Sequence, residues 1–331
     1  MHGTAALVPG PRLRRAGVWR PRPGRTNGSP GVKPAAPETR AERSALVERS
    51  GDLGRDVVAV EEPLEIRVDG EAVVVTMRSP GAERDLALGY LHAEGLIEQT
   101  ADVEDVIVGG APRRDETSPP DVEPAVTGSI VDVRLSARGR RAVSRRAETR
   151  KRERAFRVTS ACGVCGKPSL EDLWVRLPSI RPLDLAPDRE RLLVQELPAA
   201  MQEGQPLFGD TGGVHAAALF EVAGGQPELL WLREDIGRHN AVDKVVGKAL
   251  RANRLPLFDT ILAVSGRLGF EIVQKAAVAG IPVLAAVGAP SSLALDIAHL
   301  AGIRVYAFVA ANRSNLYPAA PVEARRLGSS D

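Results

Sequence analysis

The sequence predicts an α/β protein, α+β overall, with a smaller strand-and-helix region ahead of a larger domain built on a parallel sheet. Three observations predict it. In the last third of the 331-residue chain, short apolar runs alternate with segments of helical periodicity, the pattern of parallel strands buried on both faces and joined by helices. Upstream, Asp69-Gly70 stands between two runs rich in Val and Ile, a hairpin signal because both residue types accept the positive φ of a tight turn. Hydrophobic residues make up 44% of the chain and aromatics only 4%, so a sizeable core must be assembled from Ala, Val, Leu and Ile.

Residues 1–50 are rich in Pro, Gly and Arg, show no hydrophobic period, and hold ten Lys or Arg against three Asp or Glu. Such a segment cannot bury enough apolar surface to offset its ordering entropy. It is expected to be a disordered basic tail. Because the whole chain carries only +2, the remainder is net acidic, and overall charge gives no argument for nucleic acid.

Residues 51–158 read as a small α+β region. "DVVAVEEPLEIRVDGEAVVVTMRS" is expected to form two strands joined at Asp69-Gly70. "GAERDLALGYLHAEGLI" follows as a helix, with Leu86, Tyr90, Leu91 and Leu96 at helical spacing and Gly95 near its end. "VEDVIVG" and "SIVDVRL" are strand-like and flank a polar loop insertion near 110–128. The basic stretch Arg138–Arg157 reads as a solvated helix face or a disordered insertion; a surface for an acidic partner is the sharper and less favoured reading.

In residues 159–320, "GGVHAAALFEV" and "ELLWLRED" read as a hairpin and "RHNAVDKVVGKALRA" as a helix, with Val242, Val245, Val246 and Ala249 on one face. "TILAVSGR", "IPVLAAVG" and "IRVYAFVA" are strands, separated by the helices "GFEIVQKAAVAG" and "SSLALDIAHLAG". Residues 321–331 form a C-terminal tail. Ligands bind at the carboxyl ends of such strands, where the chain places "VSGRLGFE", "VGAPSSLA" and "FVAANRSNLY".

The chain has two cysteines, Cys162 and Cys165, three apart between glycines. A lone CxxC supplies half the ligands of a structural zinc, a set that a dimer could complete. Alternatively it holds a redox pair or a nucleophile whose thiol is activated by nearby cations such as Lys167. By spacing alone, metal and thiol chemistry rank equally. His215 opens an apolar strand, and "REDIGRHNAVDK" packs Arg238 and His239 into a dense polar cluster beside a core helix, a better site candidate than an isolated residue. Asp235 or Asn240 is expected to cap that helix. Ser265, Gly266 and Arg267 lie between a strand and a helix, where backbone N–H groups and a guanidinium suit a phosphate; "GAPSSLA" repeats the arrangement with Ser caps. Zinc deaminases use H-x-E with P-C-x-x-C. Here His215 begins "HAA", without the glutamate, and the CxxC precedes the histidine.

Together "EEPLEIRVDG", "TSACGVCGK", "TGGVHAA", "EDIGRHNAVDKVVG", "SGRLGFEIVQKA" and "AGIPVLAAVGAPSSLALDIAHLAGI" resemble the FdhD family of formate dehydrogenase accessory sulfur carriers, in the family's order across roughly residues 58–317. The resemblance implies a cytidine-deaminase-like C-terminal domain and a homodimer. It implies a persulfide formed on Cys162, with Cys165 as its partner. A cysteine desulfurase would donate the sulfur, which passes to the molybdenum of bis-molybdopterin guanine dinucleotide for formate dehydrogenase. That cofactor is a transient acceptor, not a permanently bound group, and no resident metal is expected. The family's cofactor-binding segment maps to Phe308, Val309, Ala310, Ala311, Asn312 and Arg313. Ala310 replaces the usual Arg, Ala311 a Gly, and Gly269 a Ser, which implies weaker binding through these positions.

No apolar run reaches the ~18–20 residues of a membrane span, and no segment resembles a secretory h-region. The protein is therefore expected to be cytoplasmic, where two thiols stay reduced, with neither membrane nor nucleic acid as partner. The rival readings are a zinc-dependent deaminase-like hydrolase and a non-enzymatic CxxC metal-binding or redox module.

Overall fold

The computed structural model describes residues 43–48, 54–109, 129–151 and 180–317, all within one compact unit spanning 34–331. Among the described residues, α/β architecture is built from three sheets of two, four and six strands and seven α-helices.

β1 (Ser44–Glu48) and β2 (Arg55–Ala59) form an antiparallel ribbon. Two sequence expectations change here. The segment expected to hold two strands holds three, and the stretch read as a structureless tail to residue 50 contains β1. The reason lies in β3 (Glu62–Val68). It pairs with β4 (Glu71–Arg78) on one side and with β6 (Ser129–Leu135) on the other. Both edges of β3 are taken, so β2 pairs with β1 instead. β5 (Val103–Gly109) completes the four-stranded sheet in the order β4-β3-β6-β5. The β3–β4 hairpin turns at Asp69 (φ 49°) and Gly70 (φ 91°), the positive-φ pair that the sequence signalled.

The inner face of this sheet, Leu64, Ile66, Val131, Val133 and Leu135, packs on α1 (Glu83–Ala93) through Leu86, Leu88 and Leu91. The basic stretch after β6 forms α2 (Ala137–Lys151). Its first turn is anchored by Arg138 on Asp102, 2.8 Å, and by Arg140 on Asp69, 3.1 Å.

After α3 (Pro187–Glu203) and the short α4 (Pro206–Thr211) come β7 (His215–Ala223), β8 (Gln226–Asp235) and α5 (Arg238–Arg251). The chain continues through β9 (Thr260–Val264), α6 (Phe270–Val278), β10 (Val283–Ala286), α7 (Ser292–Ala301), β11 (Arg304–Ala310) and β12 (Arg313–Tyr317). The six-stranded sheet runs β12-β11-β10-β9-β7-β8. Its centre, β9-β10-β11, is parallel as expected; β7, β8 and β12 are antiparallel to their neighbours, so the sheet is mixed.

Alternation along each strand sorts the core into two layers. Ala217, Leu219, Leu262, Val264, Leu284 and Val305 face α5, α6 and α7. Ala216, Ala218, Phe220, Ile261, Ala263, Val283 and Tyr306 face Val194, Leu197 and Met201 of α3. Small Ala residues on β7 let both layers sit close to the sheet.

The two larger sheets are joined where α1 crosses α5. A Cβ at Gly89 would lie 1.9 Å from the Asp243 carbonyl oxygen, and one at Gly247 1.8 Å from that of Asp85. The helix backbones therefore touch, and no larger residue fits at either glycine.

Candidate functional site

The carboxyl ends of β8, β9, β10 and β11 and the first residue of β7 lie at one edge of the six-stranded sheet. His215 opens β7 opposite Asp235, the last residue of β8. Ser265 follows β9: its N–H donates to the Ala216 carbonyl at 3.0 Å, and its Oγ accepts from the Ala216 N–H at 2.9 Å. That serine seams β7 to β9, leaving its hydroxyl proton to donate.

The loops beyond β9 and β10 are zipped by backbone bonds. Gly288 N–H donates to Gly266 O at 3.1 Å, Leu268 N–H to Ala289 O at 2.9 Å, and Ser291 N–H to Leu268 O at 3.0 Å. A Cβ on Gly288 would meet Arg267 N and Gly266 O, each at 2.8 Å. Phe308 N–H extends the line to Gly288 O at 3.3 Å. Gly266 is the floor: a Cβ there would meet His215 Nδ1 at 3.2 Å and Arg238 Cδ at 3.7 Å. His215, Ser265, Gly266, Arg267 and Arg238, singled out separately in the sequence, are thus brought together.

Charge in this pocket is unbalanced. Among the described residues Arg238, Arg267 and Arg313 form no ion pair, and Arg238 Nε is buried without a partner. Arg238 is the first residue of α5, where the helix macrodipole disfavours a cation. Burial first, then the charges of Arg238, His239 and Arg267, outweigh the opposite pull of Asp235 and hold the His215 imidazole below its usual pKa, neutral at pH 7. His239 Nε2 lies 3.0 Å from Glu271 Oε2. Burial would raise the Glu271 carboxyl, but the His239 hydrogen bond and the charges of His239, Lys275 and Arg238 hold it below the ordinary range.

Asp235 does not cap α5 by the expected route. The N-cap is Gly237, without a side-chain cap. Asp235 is instead a saturated, fully buried hub. Its Oδ1 accepts from Gly237 N–H at 2.8 Å and Asn240 Nδ2 at 3.1 Å. Its Oδ2 accepts from Ser79 N–H at 3.3 Å and pairs with Lys244 Nζ at 2.7 Å. Asn240 Nδ2 also reaches Met77 O at 2.7 Å. These bonds fix the start of α5, and so Arg238 and His239, against the end of β4. The expected Ser cap is present on α7, where Ser291 Oγ accepts from Ala294 N–H at 3.2 Å. Beneath His239, Asp243 accepts from Lys275 Nζ at 2.7 and 2.9 Å.

The segment Phe308–Arg313 spans the end of β11, the two-residue turn Ala311-Asn312 and the start of β12. Phe308 has φ 53° at a bulge between Ala307 and Ala310, a conformation strained for a bulky residue. Phe308 is exposed beside the pocket, and Val309 is buried against the α3 layer. Ala311, Asn312 and Arg313 are exposed and Ala310 is half-buried. Ala217, where H-x-E would carry its glutamate, is fully buried in the core. Cys162 and Cys165 lie outside the described residues. The sequence reading passed over Glu271: an acid in the first turn of a helix looks like dipole compensation, and only the fold places it on His239.

Fold and site define an α/β protein with a cluster of basic side chains at the carboxyl edge of a mixed sheet. The sequence model of the FdhD/NarQ family matches residues 59–321; the chain belongs to this family. It is similar to the sulfur carrier protein FdhD of Anaeromyxobacter dehalogenans, 47% identical over 84% of this chain and 91% of that one. It is also similar to those of Nocardia farcinica, 44% identical over 82% and 90%, and Mycobacterium tuberculosis, 44% identical over 79% and 90%. A crystal structure described as a formate dehydrogenase accessory protein, from Desulfotalea psychrophila, superposes with TM-score 0.54 at 22% identity. It covers 82% of this chain and 94% of that one, a likeness of fold. Among the described residues no helix is long and apolar enough to cross a membrane.

Proposed function

We propose that this chain is a sulfur carrier that loads persulfide sulfur on Cys162 from a cysteine desulfurase. It then delivers that sulfur to the molybdenum of a bis-guanylyl molybdopterin, the substrate it readies for formate dehydrogenase. In the loading step the Cys162 thiolate attacks the outer sulfur of the donor's persulfide; an S–S bond forms on Cys162 and the donor cysteine leaves as its thiolate. The observation that carries the reading is the pair Arg238 and Arg267, neither in an ion pair among the described residues, around neutral His215, within a family whose relatives are named as sulfur carriers. One guanidinium at the start of α5 and another in the loop before α6, neither in an ion pair, suit the pyrophosphates of such a substrate. The exposed Phe308 and the Ala311–Arg313 turn would meet its neighbouring groups. The homodimer and the cytoplasmic setting belong to the same proposal.

Mass spectrometry of the chain after incubation with a cysteine desulfurase and cysteine tests the loading step. A mass increase of one sulfur is expected on the peptide bearing Cys162, absent in Cys162→Ala and retained at reduced yield in Cys165→Ala. Undiminished sulfur transfer by Cys162→Ala would overturn the assignment.

A further inference from the structure

Glu271 is not used by the reading above. Its side chain is 11% exposed, yet it stays ionised, because the hydrogen bond from His239 and the surrounding cations outweigh the cost of burial. A buried carboxylate beside a pocket for anions is out of place on charge alone, since like charges repel strongly at low dielectric. Its contact explains it. Oε2 engages His239 Nε2 at 3.0 Å, on the residue next to Arg238. Among the described residues none engages the other ring nitrogen, Nδ1. His239 directly follows Arg238, whose Cδ stands beside Gly266 and His215, so the ring adjoins the same cluster. A carboxylate behind an imidazole fixes the orientation of the ring.

We infer that Glu271 is a positioning residue of the anion pocket, holding His239 by Nε2 so that Nδ1–H donates to a phosphate oxygen of the bound nucleotide. The inference rests on the reading of this pocket as a pyrophosphate site. In that arrangement the imidazole stands between the carboxylate and the phosphate and bridges the two.

Calorimetric titration of GDP into wild type, Glu271→Gln, His239→Ala, the double variant and Arg267→Ala decides it. Glu271→Gln keeps the size of the side chain and an acceptor for Nε2–H, so it should fold and melt below wild type only by what the ionised carboxylate contributes. It is expected to weaken GDP about tenfold, the scale of one charge-assisted bond, and to add nothing once His239 is gone. Two results would overturn the inference while leaving the pocket in place. One is Glu271→Gln binding like wild type although Arg267→Ala binds more weakly. The other is Glu271→Gln costing the same factor in the His239→Ala background. GDP failing to bind wild type would remove the pocket reading, and the inference with it.

Discussion

At the scale of single residues, the pocket is a problem in uncompensated charge. Arg267 is exposed and Arg238 half-buried, and neither has a carboxylate partner among the described residues. An anionic ligand would supply the missing counter-charge, and each charge-assisted bond contributes on the order of 1.5–3 kcal/mol. Arg267→Ala is therefore expected to weaken GDP about tenfold or more. Arg313→Ala should cost less, because it follows a turn that, with Ala310 before it and Ala311 in it, offers no second cation. Both losses should shrink as salt rises. Calorimetry at two ionic strengths checks this, and equal affinities for all three proteins would remove these loops from the site. Much of this constellation was legible in the sequence, because Gly and Arg after a strand, and Arg-His at a helix start, are local patterns. Glu271 was not. Its role depends on α5 and α6 lying side by side, which no local spacing encodes.

At the scale of elements, strands with strong alternation or continuous apolar runs were legible almost to the residue; "VEDVIVG" is β5, Val103–Gly109. What escaped reading had mixed signals. β12 is a polar edge strand, with Arg313, Asn315 and Leu316 exposed. β1 hides five residues among arginines. α3 has Leu193, Val194, Leu197 and Met201 at helical spacing, but Pro198 interrupts it. The basic stretch became a helix because its start is held by Asp102, whose Oδ2 accepts from Glu98 N–H at 2.8 Å and Gln99 N–H at 3.1 Å and whose Oδ1 accepts from Arg138. Burial pushes this carboxyl up, but the two backbone bonds and Arg138 outweigh it and leave it below its ordinary 3.8. A depressed folded pKa means that the unfolded chain binds the proton first. The stabilisation is therefore present above about pH 4 and lost as pH falls through the lower, folded value. Asp102→Asn should melt below wild type at pH 7, and the gap should close as pH falls below about 4, through the lowered folded value. A gap that stays constant across that range would show that the carboxylate's charge contributes nothing.

At the scale of the whole molecule, the question is whether the four-stranded and six-stranded sheets unfold together. Three features join them. The α1–α5 crossing brings backbones into contact at Gly89 and Gly247. Asp85, nearly fully buried on α1, pairs with Arg233 at 3.2 Å and Arg251 at 2.5 Å. The Asp235–Lys244 pair, buried completely, bonds to both polar groups of the Ser79 backbone, at the end of β4. Separating the sheets would part Asp85 from Arg233 and Arg251, take Ser79 from Asp235 and Lys244, and open the α1–α5 contact. All of these contacts must go at once, against a total stability of ~5–15 kcal/mol, so half-unfolded states should be scarce. Scanning calorimetry is expected to show one transition, with the calorimetric and van't Hoff enthalpies in agreement. Deleting residues 1–42 should leave that transition nearly in place, because the deletion spares Arg43, which donates to Glu234 O at 3.1 Å, and all of β1. Gly247→Val should act oppositely. Its Cβ would stand 1.8 Å from the Asp85 carbonyl, so the helices must part at a cost of at least about 3 kcal/mol. Either a lower single transition or a split into two would follow from that parting, whereas an unchanged melting temperature would refute the crossing as the joint between the sheets.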